Sequence, residues 1–343
     1  MLTAYVMYVP GLRTAIRANG ERLATRWAST LSYALRRLSF VHMAREMVRA
    51  VTGDSSAGAW DVVALDSMAV TFKNTRRHGC KKFNDTTVGG GVLWSWNVYA
   101  PSGQSPLQVL RVMAGAWSDA VALWASSLVA RGPLYLMDRG FWSLRLVADL
   151  LEREVRFVLR VTASHVQWTT VRVCGRARWH GQKVRIERDV IVDLGSPRRK
   201  NRSRVRLVFA RLRNGKDLVL VSGQLGWSAE QILDAYKLRW HIERFHKFIK
   251  QGLGLAHLYS FQQNGLEFQL YVCALLTLLL WFAQTAANRA ASPDSITTLH
   301  NALRELRESL GLFGRWYPNV PQPRGVIKTS KRIPGRGKGK RNH

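Results

Sequence analysis

One carboxylate lies among a hydroxyl and two cations, at helical spacing, in the segment "YKLRWHIERFHKFIK" (236–250). At about 100° per residue, Tyr236, Arg239, Glu243 and Lys250 share a helical stripe roughly 60° wide. The opposite face is apolar, which suits burial against a core. Two interpretations of the stripe stay open at this point. It is either a solvated ladder of salt bridges, or a carboxylate that holds a metal ion while its neighbours hold phosphate.

The charge balance of the whole chain favours a polyanionic partner. The 343 residues include 52 Lys and Arg against 22 Asp and Glu, a formal net charge of +30. Such an excess is self-repulsive until a polyanion neutralises it, and nucleic acid is the common one. No lipidation signal or amphipathic anchor favours a membrane surface. A hydrophobic content of 47% argues against a disordered chain.

Cysteine and histidine give no metal-site pattern. Cys80, Cys174 and Cys273 lie far apart and form no CxxC pair, which argues against structural zinc and favours a reducing compartment. His241 and His246 are five residues apart and do not share a helix face, so we expect both at the surface.

Neither a secretory signal nor a membrane span is expected from the sequence. The N-terminal residues lack a basic flank followed by an apolar run. The run "LYVCALLTLLLWFA" (270–283) is shorter than the ~20 residues that a span needs, so we expect a buried core helix.

Predicted strands and helices alternate along the chain and set the positions of the acids. Strands are predicted at 60–72, 92–99, 133–138 and 155–163, helices at 105–130, 141–154 and 229–251, and a β-rich basic stretch at 164–222. Asp66 and Asp138 then lie on strands, while the helix of Glu243 can pack on the same sheet. Three acids that meet at one sheet edge suit a divalent metal ion in so basic a protein. Asp61 and Asp85 are weaker candidates, at a strand start and in a turn.

These motifs resemble those of the DDE transposases, in particular the bacterial insertion sequence family four. That family has the signature Y-x2-R-x3-E-x6-K, and Tyr236, Arg239, Glu243 and Lys250 match its four positions and three gaps. The segments "VVALDSMAV" and "LYLMDRGFWS" resemble the family's first and second aspartate motifs. The resemblance covers roughly residues 60–285.

The resemblance implies an α/β fold: an RNase H-like mixed sheet flanked by helices, with a β-rich insertion between the second Asp and the Glu helix. It implies that Asp66, Asp138 and Glu243 are catalytic and ligate two Mg²⁺ ions, with Mn²⁺ as a substitute, and that Asp66 bridges both ions. It further implies that Tyr236, Arg239 and Lys250 bind DNA.

The implied function is that of an insertion-sequence transposase in the bacterial cytoplasm, associated with the nucleoid. Its partners would be double-stranded DNA (terminal inverted repeats and target DNA) and a second copy in a synaptic homodimer, with no membrane. It would cleave and transfer strands by a metal-dependent cut-and-paste mechanism. The alternative is a catalytically inactive, basic DNA-binding relic of such a transposase.

Five regions are expected along the chain. They are a basic helical DNA-binding region (1–55), the first part of the core (56–163), the basic insertion (164–224), the second part of the core (225–290) and a C-terminal region with a basic disordered tail (291–343). A tryptophan that some relatives carry before the last insertion strand has no counterpart in "KDLVLVS". We interpret Trp168, Trp179 and Trp227 as packing residues.

Overall fold

The computed structural model describes residues 46–47, 62–73, 81–84, 87–98, 107–113, 129–195, 202–253, 255, 263–290 and 298–306. The predicted N-terminal helical region, apart from two residues, and the predicted C-terminal tail lie outside these ranges. The division into five regions stays a prediction.

A single mixed sheet dominates the described residues. Its eleven described strands are β1 (Val62–Lys73), β2 (Lys81–Asn84), β3 (Thr87–Asn97), β4 (Leu107–Met113), β5 (Leu134–Met137), β6 (Arg156–Val161), β7 (Trp168–Gly175), β8 (Arg178–His180), β9 (Val184–Leu194), β10 (Ser203–Leu212) and β11 (Asp217–Ser222). The order is β2-β3-β1-β5-β6-β11-β10-β9-β7, with β4 paired to β3 and β8 to β9. Strands β1, β5 and β6 are parallel, while β3 runs antiparallel to β1.

The core strands are apolar because helices cover both faces of the sheet. All four residues of β5 are buried, as expected for a parallel strand without a solvent face. The helices are α1 (Leu144–Glu152), α2 (Ala229–Lys237), α3 (Trp240–Lys247) and α4 (Gln263–Ala290), with further helical residues at 299–306. This arrangement confirms the predicted class, a mixed α/β sheet flanked by helices and consistent with an RNase H-like fold.

The β-rich insertion extends the core sheet. Strand β11 pairs antiparallel with β6, so β7 to β11 continue the sheet without a break. Trp168 packs against Phe209 with ring centroids 5.5 Å apart, as a packing residue should. Trp179 on β8 is 61% exposed, so its interpretation as a packing residue was wrong.

The predicted helix at 105–130 is wrong over 107–113, which form β4, and 114–128 lie outside the described residues. Strand β4 pairs antiparallel with β3. A short apolar run satisfies the helical and the extended pattern alike, and the pairing available from β3 decides between them.

The single helix predicted at 229–251 is also wrong, because α2 and α3 are separate helices. Backbone amides at Leu238 and Arg239 bond to carbonyls three residues back, the tighter 3₁₀ pattern, and Phe248–Gly252 form a wider π-helical turn after α3. The two halves bury their apolar faces in different hydrophobic clusters. One straight helix would present a single stripe, so the chain bends between them.

Helix α4 is a core helix that is longer than the fourteen-residue run in the sequence. Among the described residues, one stretch, Glu267–Arg289, has the length and apolar composition to cross a membrane, but 56% of its most apolar part is buried in the protein. The helix packs with α3 in one hydrophobic cluster. Burial against the protein's own core accounts for its apolar composition.

Candidate active site

Two of the predicted acids come from neighbouring parallel strands. The β1–β5 register pairs Val62 with Leu134 and Ala64 with Leu136. Continuing this register by two residues brings Asp66 level with Asp138, the first residue after β5. The sheet topology therefore brings these two residues side by side at the carboxyl end of β5.

Local hydrogen bonds orient both carboxylates. The Oδ1 of Asp66 accepts a hydrogen bond from the Ser67 backbone N–H at 2.9 Å. The Oδ1 of Asp138 accepts one from the Gly140 N–H at 2.8 Å and so caps the short 3₁₀ helix Arg139–Phe141. An aspartate that bonds a backbone amide two residues on is held by its own turn.

Aromatic packing places the helix of the third acid over the same strands. Phe245 of α3 lies edge-on to Trp94 with ring centroids 5.3 Å apart, and stacks on Trp96 at 5.2 Å. Trp94 is the β3 register partner of Asp66. Since these rings anchor α3 on β3, beside β1, the partly exposed Glu243 lies on the same side of the sheet as Asp66.

Arg239 joins the acids at the centre of the site. Its guanidinium lies 3.5 Å from Asp66 Oδ2, donates a short hydrogen bond to Glu243 Oε1, and donates through Nε to the Tyr236 hydroxyl at 3.1 Å. Burial lowers the pKa of Arg239, but the oxygen-bearing groups around it raise that pKa by more. These groups are Tyr236, Glu243, Asp66 and Asp138. All three predicted carboxylates therefore act on one guanidinium.

The remaining two stripe residues differ in their surroundings. Tyr236 is buried, and burial is the main reason why its pKa is raised, with Asp138 adding to the effect. Lys250 lies on the π-helical turn and is exposed. In the described part of the chain, no hydrogen bond or ion pair joins Lys250 to Tyr236, Arg239 or Glu243. Hydrogen bonds therefore join three of the four stripe residues, Tyr236, Arg239 and Glu243.

His246 is a site residue that the sequence interpretation missed. It is buried, not at the surface as expected, and its Nδ1 lies 3.5 Å from Asp66 Oδ2. Desolvation lowers its pKa to about 3, with further contributions from Lys250 and Arg239. The sequence feature that could have predicted this position is the spacing of His246 from Arg239. Seven residues make almost two helical turns, so the two side chains share a face.

A family model described as "Transposase DDE domain" matches residues 61–279, more than half of the chain, and this range includes all three acids. The chain belongs to the DDE transposase domain family. It is 27% identical over 143 residues to the "Probable transposase for insertion sequence element IS5377" of Geobacillus stearothermophilus, a match that covers 42% of this chain and 37% of that protein. It is 40% identical over 55 residues, 16% of each chain, to the "Putative transposase for insertion sequence element IS4SA" of Synechocystis sp.. The chain thus spans well under half the length of these relatives.

Membership of the DDE family implies a divalent metal ion, and the donor chemistry of the three acids fits one. Carboxylate oxygens on three separate elements are the hard ligands that Mg²⁺ prefers. Among the described residues, however, no three His, Cys, Asp or Glu side chains are spaced to hold one ion. The guanidinium of Arg239 is bound to Glu243 and lies close to Asp66.

Proposed function

We propose that this protein is an insertion-sequence transposase that binds the ends of its element in double-stranded DNA and cleaves and transfers the strands by cut and paste. The observation that carries the proposal is that Asp66 lies level with Asp138 in the sheet register, while Arg239 links Asp66 to Glu243. A solvated ladder of salt bridges does not account for it. Such a ladder needs one helix surface, whereas these acids come from three elements, two of them in the sheet.

In this proposal, Asp66, Asp138 and Glu243 hold the catalytic metal, two Mg²⁺ ions for which Mn²⁺ can substitute. When bound, the ions activate the attacking water or 3′-hydroxyl and neutralise the charge that develops on the phosphate oxygens. The backbone hydrogen bonds of the two aspartates, to the next amide at Asp66 and within a turn at Asp138, fix their orientation before DNA arrives, which lowers the cost of assembling the site.

Arg239 changes partners in the proposed reaction. In the DNA-free protein its guanidinium neutralises Asp66 and Glu243, and a terminal phosphate is an alternative partner that accepts the same planar fork. Because Arg239 already donates to the Tyr236 oxygen, the Tyr236 O–H is left to donate to a phosphate oxygen. The exposed Lys250 adds a mobile positive charge. DNA binding would in this way free the carboxylates for metal.

The proposed partners follow from charge and from the reaction. A net charge of +30 favours DNA, both the terminal inverted repeats and the target. Cut-and-paste joins two element ends, so we propose that two copies of the chain form a homodimer in the synaptic complex. The proposed location is the bacterial nucleoid, within the cytoplasm.

A cleavage assay tests this proposal. Purified protein, Mg²⁺ and labelled DNA that carries the element's own terminal repeats should give cleavage at the element ends. Asp66→Asn, Asp138→Asn and Glu243→Gln should each lower the rate by about a thousandfold, the loss expected when metal ligation fails. Binding of the labelled DNA, measured by gel shift, should persist in all three.

The control is Asp149→Asn, which removes an acid from the outer surface of α1, where Asp149 pairs with Arg153. It should cleave at the normal rate. Normal cleavage by one of the three site variants would show that the substituted residue is not a ligand. Specific binding without cleavage by the unsubstituted protein would support the inactive relic instead.

A further inference from the structure

The insertion is joined to helix α2 by two polar contacts that use alternate residues of β8. Arg178 donates to both carboxylate oxygens of Glu230, at 2.5 and 3.0 Å. The His180 Nε2 lies 2.9 Å from Asp234 Oδ1. Glu230 and Asp234 are one turn apart on α2. A short strand of the insertion therefore runs along one face of the helix that carries Tyr236.

The spacing of these contacts follows from backbone geometry. Residues i and i+2 of a strand are about 6.6 Å apart on one face. Residues i and i+4 of a helix are separated by about 6 Å along its axis. Arg178 and His180 thus match Glu230 and Asp234 in register, while the intervening Trp179 points to solvent. A slip of the helix by one residue would break both contacts.

A buried ion pair fixes the loop that leads into α2. Arg206 on β10 donates two hydrogen bonds of 2.8 Å to Asp189 on β9, and both side chains are almost fully buried. The remaining Arg206 nitrogen donates to the backbone carbonyls of Leu225, at 3.1 Å, and Trp227. Since these carbonyls precede α2 directly, the insertion strands determine where the helix begins.

The beginning of α2 in turn determines where the site residues lie. Ser228 and Gln231 form a capping box at the helix start, and Glu230 is in the first turn. Tyr236 lies six residues beyond Glu230, about 9 Å along the same helix, and Arg239 follows in the next turn. A shift of the helix start would move both residues, and displacements near 1 Å at a reacting centre cost up to about a hundredfold in rate.

We propose that Arg178 and Arg206 are positioning residues, which act through Glu230 and the 225–227 carbonyls to place Tyr236 and Arg239 for the phosphate at the DNA end. This inference rests on the proposed transposase function. It gives the insertion a role in the site that does not depend on contact between the insertion and DNA.

Arg178→Gln and Glu230→Gln test the inference, because both partners are partly exposed and their loss should leave the protein folded. The matched controls are Arg204→Gln and Asp193→Asn, which break a similar two-bond pair on the same sheet without contact to α2. Each control makes the same change of charge as its test variant. All four variants should unfold within a few degrees of the parent protein and retain its affinity for element ends.

On pre-bound ends, each test variant should lower the single-turnover cleavage rate by about five- to twentyfold, while the controls cleave normally. The double variant Arg178→Gln/Glu230→Gln should be no slower than Arg178→Gln alone, because that substitution already removes the partner of Glu230 along with the 3.5 Å contact between Arg178 and Asp189. Additive losses, or equal losses in the controls, would overturn the inference.

Hydrogen exchange gives a readout without DNA. Amides within 229–243 should exchange about three- to fivefold faster in Arg178→Gln and Glu230→Gln than in the controls. If the parent protein does not cleave, the proposed function fails, and the exchange comparison still decides whether the pair positions the helix. Unchanged exchange in 229–243 would overturn the positioning role.

Discussion

The protein contains two clusters of arginine and acid that look alike in composition and differ in how well they are satisfied. Around Arg206, both oxygens of Asp189 accept a hydrogen bond of 2.8 Å, and the spare arginine nitrogen donates to carbonyls. Around Arg239, the nearest Asp66 oxygen is 3.5 Å away and His246 Nε2 has no hydrogen-bond partner in the described part of the chain.

The difference indicates which cluster holds one arrangement and which can change. A buried ion pair whose donors and acceptors are all used is strongly destabilised when either partner is lost. Arg239 contacts Glu243 closely but reaches Asp66 only at 3.5 Å, so another cation can replace it more easily at Asp66, and the guanidinium can itself turn to another anion. The first cluster therefore suits positioning, and the second suits a site that must accept metal and phosphate.

The largest expected effect is on the free energy of unfolding, which should fall much more when the Arg206 cluster loses its acid than when the Arg239 cluster does. Asp189→Asn should lower the free energy of unfolding by about 3–5 kcal/mol, because it leaves Arg206 buried without its charge partner. Asp66→Asn should change it by about 1 kcal/mol or less, since Arg239 keeps its hydrogen bond to Glu243. Urea denaturation followed by circular dichroism measures both values. Equal losses in the two variants would remove the distinction between the clusters.

The second prediction concerns the exchange of partners at Arg239. Arg239→Ala should lower end cleavage roughly ten- to more than a hundredfold, the equivalent of one charge-assisted contact of about 1.5–3 kcal/mol. Arg239→Lys should recover only part of this loss, because a point charge cannot replace the planar fork. A single-turnover assay on the element ends provides the rates.

Arg244→Ala is the control for this prediction, since Arg244 is an exposed cation on α3, five residues after Arg239. It should cleave normally. Normal end cleavage by Arg239→Ala as well would make the stripe an ordinary helix surface.

The smallest expected effect is a pH dependence at Glu230. Its hydrogen bond with Arg178 is the main cause that lowers its pKa from 4.5 to about 2. The unfolded chain therefore takes up this proton near pH 4.5, and the folded chain only near pH 2. The stabilisation is complete above pH 4.5 and is lost as the pH falls to 2.

Unfolding of the parent protein and of Glu230→Gln at several pH values measures how much the Glu230 carboxylate contributes to the free energy of unfolding. The difference in unfolding free energy should be greatest at neutral pH, remain under about 1 kcal/mol because water screens the pair, and shrink from pH 4.5 to pH 2. A difference that stays constant over this range would mean that the Glu230 carboxylate is not stabilised by Arg178.

Much of the core could be predicted because its signals are local. The buried run before Asp138 has the composition of a parallel strand, and Ser228 with Gln231 marks the start of a helix. The prediction failed where two local patterns were equally good. Residues 107–113 fit a helix or a strand, and the unpaired edge of β3 decided for the strand.

The roles of the predicted site residues stay a prediction, and their geometry followed only in part from the sequence. A uniform 100° per residue placed Lys250 beside Glu243, but the π-helical turn changes the winding before Lys250 is reached. The same periodicity, applied from Arg239, would have placed His246 on the site face. Its burial depends on how α3 packs on β1, which no spacing along one helix can reveal.

The sequence by itself determined the strongly basic charge, most of the core strands, and the spacing of Tyr236, Arg239 and Glu243, because these are properties of neighbouring residues. Only the tertiary structure decided that Asp66 lies level with Asp138, that the helix divides after Lys237, and that Arg206 and Arg178 hold the helix start from the insertion. These features join residues tens of positions apart. Their free energy comes from sheet register, from burial in separate clusters, and from hydrogen bonds that exist only once the sheet has formed.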